Sequence, residues 1–548
     1  MMIALLLALQ DELQVMRPDD KAGTLLYERL RAECKEHFDV RREAVAALKT
    51  PDDVHRRQAE LRKKFVDALG GLPERTPLNA KVVGELKGIG FRVEKVIYES
   101  RPGHHVTANL YLPEGPGPFP GVLVPCGHSD TGKAADTYVK ASILFAKNGC
   151  AALCYDPISQ GERRQVVDAQ GKPLGKGNTG EHTMIGIAAI LVGECAATYR
   201  IWDGLRSLDY LAGRPEVDPK RLGCAGNSGG GTLTSYLMAL DDRIGAAAPS
   251  CYITTLERLF ETIGPQDAEQ NIPGQVAFGM EHADYVTLRA PRPTLINVGT
   301  RDYFDITGAK TTFREARGVY RLLGAEDAVE LFEFDDKHGW SQPRRESAAR
   351  WMRRWLLDDP RPVVESEGPI FSEADLRCTA SGQVLADLKG RSVFDLLRER
   401  AKAASRSAPT KDVVREKLSL RPATSKVVSR NSVTRDGVEI HRRVVEVDGL
   451  TMPELVYRPA KKGKVVLLVH GGGKAKVHER AMALAKEGLT VVAPDLPGWG
   501  ETELHPGGKP FGPDWKEAAL SLHLARPLLG RRVAVLLEAI QREGVSRL

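Results

Sequence analysis

The sequence predicts an α/β protein: a mostly parallel sheet with helices on both faces, a helical arm before it and an incomplete α/β half-domain after it. Three observations point to this. Between residues 82 and 358, short apolar runs alternate with helix-period segments, as in a parallel sheet wrapped by crossover helices. Before that stretch, Leu25, Leu26 and Leu30 keep a three-and-four spacing among many charges, the signature of an amphipathic helix. From 435 onward the chain repeats the start of the α/β stretch. A length of 548 residues suits about three such units. The expected organisation is an arm over 1–81, an α/β domain over 82–358, a linker over 359–434 and the half-domain over 435–548.

The elements follow in order. Residues 23–70 read as helices. Residues 91–98 and 106–112 alternate as strands do. Gly121-Val122-Leu123-Val124-Pro125-Cys126 is a continuous apolar run, expected of a strand buried on both faces. A helix at 135–148, a strand at 151–155, a polar Gly-rich loop at 157–181 and a helix at 198–213 come next. Strand 222–225 runs into Gly226, and helix 230–240 and strand 244–248 follow. After an insertion at 251–290, strand 294–298, helix 309–323, strand 329–334 and helix 343–357 close the domain. The linker contains one helical stretch near 392–404.

The repeat is residue by residue. Leu110-Tyr111-Leu112-Pro113 matches Val456-Tyr457-Arg458-Pro459, and Asp156, Gly161 and Glu162 match Asp495, Gly500 and Glu501 at one offset. The helix at 526–541 corresponds to 198–213, and 545–548 corresponds to 219–222. The second copy thus stops before a counterpart of Ser228, so it is expected to be non-catalytic, by nature or through a truncated reading frame. Its strand 465–469 would lack one neighbour, and an uncovered strand edge invites pairing. Cover is expected from the linker, from the first domain or from a second chain in a homo-oligomer.

Chemistry concentrates in the first copy. Gly226-Asn227-Ser228-Gly229-Gly230 is a G-x-S-x-G pattern between a predicted strand and a predicted helix. The sharp turn there exposes the serine hydroxyl and leaves no room for bulky neighbours. A serine needs a base. His338, in the loop after strand 329–334, is placed to serve. The base needs a carboxylate to hold its tautomer. Asp302, just past strand 294–298, is the candidate, with Asp305 its rival. The order Ser228, Asp302, His338 is that of the α/β-hydrolase fold. An oxyanion needs two backbone donors. Gly229 supplies one, and Gly127-His128-Ser129 the other, with the His128 amide favoured and the His128 side chain free to touch substrate.

Other classes find less support. From Lys411 on there are 24 basic and 16 acidic residues, against 54 and 56 before it. The excess is scattered rather than gathered in the stripe of a nucleic-acid binder, so no nucleic acid is expected. The eight cysteines form no C-x-x-C pair and read as free thiols. His104 and His105 are adjacent, and no H-E-x-x-H pattern occurs, so neither a catalytic metal nor a cofactor is expected. Gly471-Gly472-Gly473-Lys474 lacks the spacing of a phosphate loop. The insertion carries six acidic and two basic residues, which disfavours polyanionic substrates, and the polar groups of 265–270 are placed to line a pocket. The longest apolar run, residues 1–9, is far short of the ~20 residues of a membrane span. If residues 1–10 act as a signal segment, the protein is periplasmic or extracellular; if they open a buried helix, it is cytoplasmic.

Together, Cys126-Gly127-His128-Ser129, Gly226-Asn227-Ser228-Gly229-Gly230, Asp302 and His338-Gly339-Trp340 resemble the bacterial α/β-hydrolases of acetyl xylan esterase-like type. These lie near the cephalosporin C deacetylases and dienelactone hydrolases. The resemblance covers about 90–358. It implies a cofactor-free serine esterase acting on small-molecule or carbohydrate esters, acetylated carbohydrates among them. Gly229 stands where the deacetylases usually carry Gln. Peptidases of prolyl-oligopeptidase type share the triad order, so a peptidase is the alternative, and a non-catalytic hydrolase-fold scaffold is a third reading.

Overall fold

A computed structural model describes residues 13–545 except 169, 171, 176, 367, 369, 405–407, 462, 504–511 and 513. The signal-segment expectation for 1–10 and the match of 546–548 fall outside the described residues. The chain forms two compact units, one spanning His37–Ser405 and one made of the flanking segments. No helix among the described residues is long and apolar enough to cross a membrane.

The larger unit is built on nine strands: β1 (Lys81–Lys87), β2 (Phe91–Arg101), β3 (His104–Pro113), β4 (Phe119–Pro125), β5 (Ala151–Tyr155), β6 (Val217–Asn227), β7 (Ile244–Ser250), β8 (Thr294–Gly299) and β9 (Val329–Phe334). Their order is β1-β2-β3-β5-β4-β6-β7-β8-β9. Pairing is antiparallel from β1 through β5 and parallel from there to β9. The switch has a local cause. Pro102-Gly103 joins β2 to β3 in a tight turn with Gly103 at φ +72°, which glycine adopts without strain. Later strands are joined through helices, which return the chain in the same direction.

Val122, Leu123 and Val124 of β4 are fully buried, because helices cover both faces. Tyr138 and Leu144 of helix Asp136–Lys147 and Trp351 and Met352 of helix Gln342–Leu356 share one core with Val122 and Val124. Helices Ala196–Ala212 and Gly229–Leu240 are buried along nearly their whole lengths. That embedding holds the start of helix Gly229–Leu240 still, at the place where the chemistry is expected.

Three segments differ from the sequence reading. The loop expected over 157–181 ends in a helix, Asn178–Ile190. The linker expected over 359–434 is structured. Residues up to 404 belong to the larger unit, with Leu376, Val384, Val393 and Leu396 buried. The amides of Cys378 and Thr379 each donate to Glu162 at 2.8 Å. Residues 425–435 form a strand of the smaller unit. The arm is divided too. Its part from His37 onward clamps the insertion and the helix after it: Arg41 bonds Asp284 at 2.6 Å and Glu315 of helix Ile306–Leu322 at 2.9 Å, and Arg57 reaches Asp284 at 3.0 Å. Composition suggested a linker because polar surface residues dominate these stretches; a few apolar anchors and buried ion pairs dock them.

The smaller unit carries β10 (Ser425–Arg435), β11 (Val438–Val447), β12 (Leu450–Arg458), β13 (Val465–Leu467) and β14 (Thr490–Pro494) in the order β10-β11-β12-β14-β13. This is the succession of β1-β2-β3-β5-β4. A buried ion cluster recurs as well. Lys133 bonds Asp156 at 2.8 Å and also Glu162, and Lys474 bonds Asp495 at 2.6 Å and also Glu501. Glu501 accepts the amides of Val15 and Met16 at 2.9 and 2.7 Å, as Glu162 accepts those of Cys378 and Thr379. Strand β13 ends this sheet and is three residues long, and short end strands limit edge pairing.

Candidate active site

Ser228 sits between β6 and helix Gly229–Leu240 at φ +59° and ψ −124°, a region non-glycine residues enter only under constraint. The flanking glycines are sterically required. A Cβ on Gly226 would lie 2.6 Å from the Gly230 carbonyl oxygen, and one on Gly230 would lie 2.2 Å from that of Pro125. The Ser228 amide donates to Ser250 of β7 at 2.9 Å, pinning the turn to the sheet.

Ser228 Oγ lies 2.9 Å from His338 Nε2, and His338 Nδ1 lies 2.9 and 3.1 Å from the two Asp302 carboxylate oxygens. The loops carrying the two partners are laced together: the Thr300 amide donates to Phe334 and that of Arg301 to Asp336, both at 2.9 Å. Burial acts to raise the Asp302 carboxyl, but hydrogen bonds from His338, Cys251 and the Phe304 amide hold it below the usual carboxylate range. Asp305 has another role. It caps helix Ile306–Leu322 through the Gly308 amide and pairs with Arg258 at 3.1 Å.

The residues expected at the oxyanion position divide. The Gly127 amide donates to Tyr138 Oη at 2.6 Å, so it is not available as an oxyanion donor. Gly127 contributes space instead: a Cβ there would lie 2.3 Å from the Asn227 carbonyl oxygen. Among the described residues, the amides of His128 and Gly229 have no bonded acceptor. The His128 side chain turns into a buried cluster, with Nε2 2.9 Å from Glu269 and 3.2 Å from Asp267. His182 Nδ1 meets Asp267 at 2.8 Å, Arg200 Nη1 meets His182 Nε2 at 2.7 Å, and Arg200 also pairs with Glu269. Burial pulls the His128 imidazole down, but the charges of Glu269 and Asp267 outweigh it and push its pKa up to about 10.

His182 and Arg200 escaped the sequence reading. No local motif marks either, and each lies on a helix far in sequence from its partners. The polar run 265–270 does bring Asp267 and Glu269 to the site. His128, His182, Asp267 and Glu269 place donor atoms within 4.8 Å of one another, a spacing a divalent cation could bridge. Arg200 and His128 lie within ion-pair distance of these carboxylates, so the cluster brings cationic side chains of its own. The same cluster explains Gly229: a Cβ there would lie 3.0 Å from Glu269 Oε1 and 3.1 Å from His128 Nε2. Gly229→Gln should therefore lower ester hydrolysis by more than about tenfold, because the side chain must push Glu269 and His128 aside next to Ser228. Wild-type kinetics in the variant would refute this account of Gly229.

The cluster also sets a pH dependence. A folded-state His128 pKa near 10 against an unfolded value of about 6.5 gives a stabilising contribution that is complete below pH 6.5 and is lost as pH rises through about 10. Urea melts of wild type and His128→Gln between pH 6 and 10 should show the wild-type advantage shrinking with pH. A gap that stays constant would remove His128 from the account.

Residues 85–273 match the acetyl xylan esterase (AXE1) family. The larger unit has an α/β-hydrolase fold, and residues 85–273 within it resemble that family. The YtaP protein of Bacillus subtilis (strain 168) is 27% identical over 317 residues, covering 55% of this chain and all of that protein. Among solved structures, methylesterase BT1017 aligns with a TM-score of 0.55 at 23% identity, over 67% of this chain and 78% of its own. That likeness shows the α/β-hydrolase fold. The esterase-like domain thus presents a Ser228–His338–Asp302 hydrogen-bond series at the C-terminal ends of its parallel strands.

Proposed function

We propose that this acetyl xylan esterase-like protein cleaves carboxylic esters of carbohydrates, acetyl esters first among them, through a covalent acyl-enzyme on Ser228. The observation that carries this is the unbroken series from Ser228 Oγ through His338 to Asp302, at 2.9 Å per step, with two unbonded amides beside the hydroxyl. In this reading His338 takes the Ser228 proton as Oγ attacks the carbonyl carbon. Asp302 stabilises the imidazolium, and the amides of His128 and Gly229 receive the oxyanion. His338 returns the proton to the departing alcohol, and water then releases the acid by the same route. The match to the acetyl xylan esterase family supports the carbohydrate ester as substrate class.

The smaller unit is proposed to be a second, incomplete hydrolase sheet without catalytic function. Its strand order and its Lys474–Asp495–Glu501 cluster support the repeat, and its described residues contain no strand at the place of β6.

The test is labelling with a fluorophosphonate followed by peptide mass spectrometry, alongside acetate release from acetylated xylo-oligosaccharides. The expected result is one adduct, on Ser228, and acetate release that the label abolishes. No adduct on folded protein would sink the mechanism. An adduct with peptide cleavage but no ester cleavage would favour a peptidase.

A further inference from the structure

Tyr303 follows Asp302 directly, and nothing in the triad mechanism uses it. Its hydroxyl lies 2.9 Å from His338 Nε2, the separation Ser228 Oγ keeps from the same nitrogen. The ring stacks on the His338 imidazole with centroids 4.2 Å apart. Its surface is 46% exposed, so a ligand can reach the hydroxyl.

With Nδ1–H given to Asp302, Nε2 is a single acceptor facing two hydroxyls. Only one of them can donate to it at a time. Once His338 has taken the serine proton, Nε2–H must reach the leaving oxygen at about 3 Å. A point that close to Nε2 is also within reach of Tyr303 Oη.

We propose that Tyr303 is a further catalytic residue that hydrogen-bonds the leaving-group oxygen during acylation. The step balances without it as a proton source. The bond between acyl carbon and alkoxy oxygen breaks, the electron pair goes to that oxygen, and His338 Nε2 supplies the proton. Tyr303 keeps its own proton and lends its O–H to the charge developing on oxygen. Burial pushes its pKa up to about 12, so it remains a donor throughout the working range.

The role rests on the Ser228 esterase reading and makes a claim that reading lacks: dependence on the leaving group. A p-nitrophenolate departs with little help, whereas an alkoxide needs its charge met. The experiment measures kcat/KM, which reports acylation, for p-nitrophenyl, phenyl, 4-methoxyphenyl and ethyl acetate with wild type, Ser228→Ala and Tyr303→Phe. The phenylalanine keeps the stack on His338 and removes only the hydroxyl. Tyr303→Phe should lose about 10- to 100-fold on ethyl and 4-methoxyphenyl acetate and less than about threefold on p-nitrophenyl acetate, steepening the leaving-group dependence. Equal losses across the series, or none, would overturn the role. Wild type inactive on all four esters, or Ser228→Ala retaining activity, would instead overturn the esterase reading. A circular dichroism melt establishes that Tyr303→Phe is folded.

Discussion

Ser228→Ala should lower hydrolysis of p-nitrophenyl acetate by about 10⁴-fold or more and leave the melting temperature within a few degrees of wild type. Removing the nucleophile of a serine hydrolase removes the covalent route altogether, leaving only what an oxyanion site and binding contribute. The fold should tolerate the change. The turn is held by backbone: the Ser228 amide on Ser250 at 2.9 Å and the Thr232 amide on the Ser228 carbonyl at 2.9 Å. Among the described residues the side-chain oxygen bonds His338 Nε2, whose loop is held by backbone bonds of its own. Alanine at φ +59° is as constrained as serine, so no strain is added. Parallel initial rates and thermal melts check both halves of the statement. Activity above one-hundredth of wild type in the variant would require another nucleophile.

Lys133→Met should cost about 3–5 kcal/mol of stability, the range for breaking a buried ion pair from one side. Lys133 is 2% exposed and its Nζ sits between Asp156 and Glu162. Methionine fills the same volume but leaves two buried carboxylates without their cation. Glu162 also anchors the Cys378 and Thr379 amides and the Thr379 hydroxyl, so residues 376–384 should loosen as well. Burial acts to raise the Glu162 carboxyl, but Lys133 and the Thr379 and Cys378 hydrogen bonds hold it below its ordinary value. Its contribution is therefore present above the unfolded pKa and is lost as pH falls through the lower folded one. Chemical denaturation of both proteins at neutral pH, with hydrogen exchange over 376–384, is the measurement. A loss under about 1 kcal/mol would mean that the carboxylates find water or each other at little cost.

Local pattern made much of this protein legible. Continuous apolar runs mark β4 and β5 because a strand covered on both faces must be apolar at every position. Gly226-Asn227-Ser228-Gly229-Gly230 marks the elbow because a turn pressed against Pro125 and Gly230 admits no Cβ. The order of serine, aspartate and histidine follows from which strand ends lie side by side, and strand succession can be read from alternation. The repeat of Asp156, Gly161 and Glu162 at 495, 500 and 501 anticipates a recurring ion cluster, because each glycine packs against its aspartate.

What the sequence by itself determined is therefore the α/β class, the place of the Gly226–Gly230 turn and the histidine whose ring faces Ser228, all set by interactions within a few residues or one sheet neighbour. The sequence favoured Asp302 for its place just past the strand and kept Asp305 as a rival; only the tertiary structure brings Asp302 to His338 and gives Asp305 to Arg258. It alone gave the Gly127 amide to Tyr138, left that of His128 without an acceptor among the described residues, and buried Leu376, Val384, Val393 and Leu396 in the larger unit. It also gathered His128, His182, Arg200, Asp267 and Glu269 from four distant segments. The reason is common to all of these. Burying a charge or a hydrogen-bonding group requires a specific partner, and that partner is supplied by packing across the fold, where sequence distance carries no information.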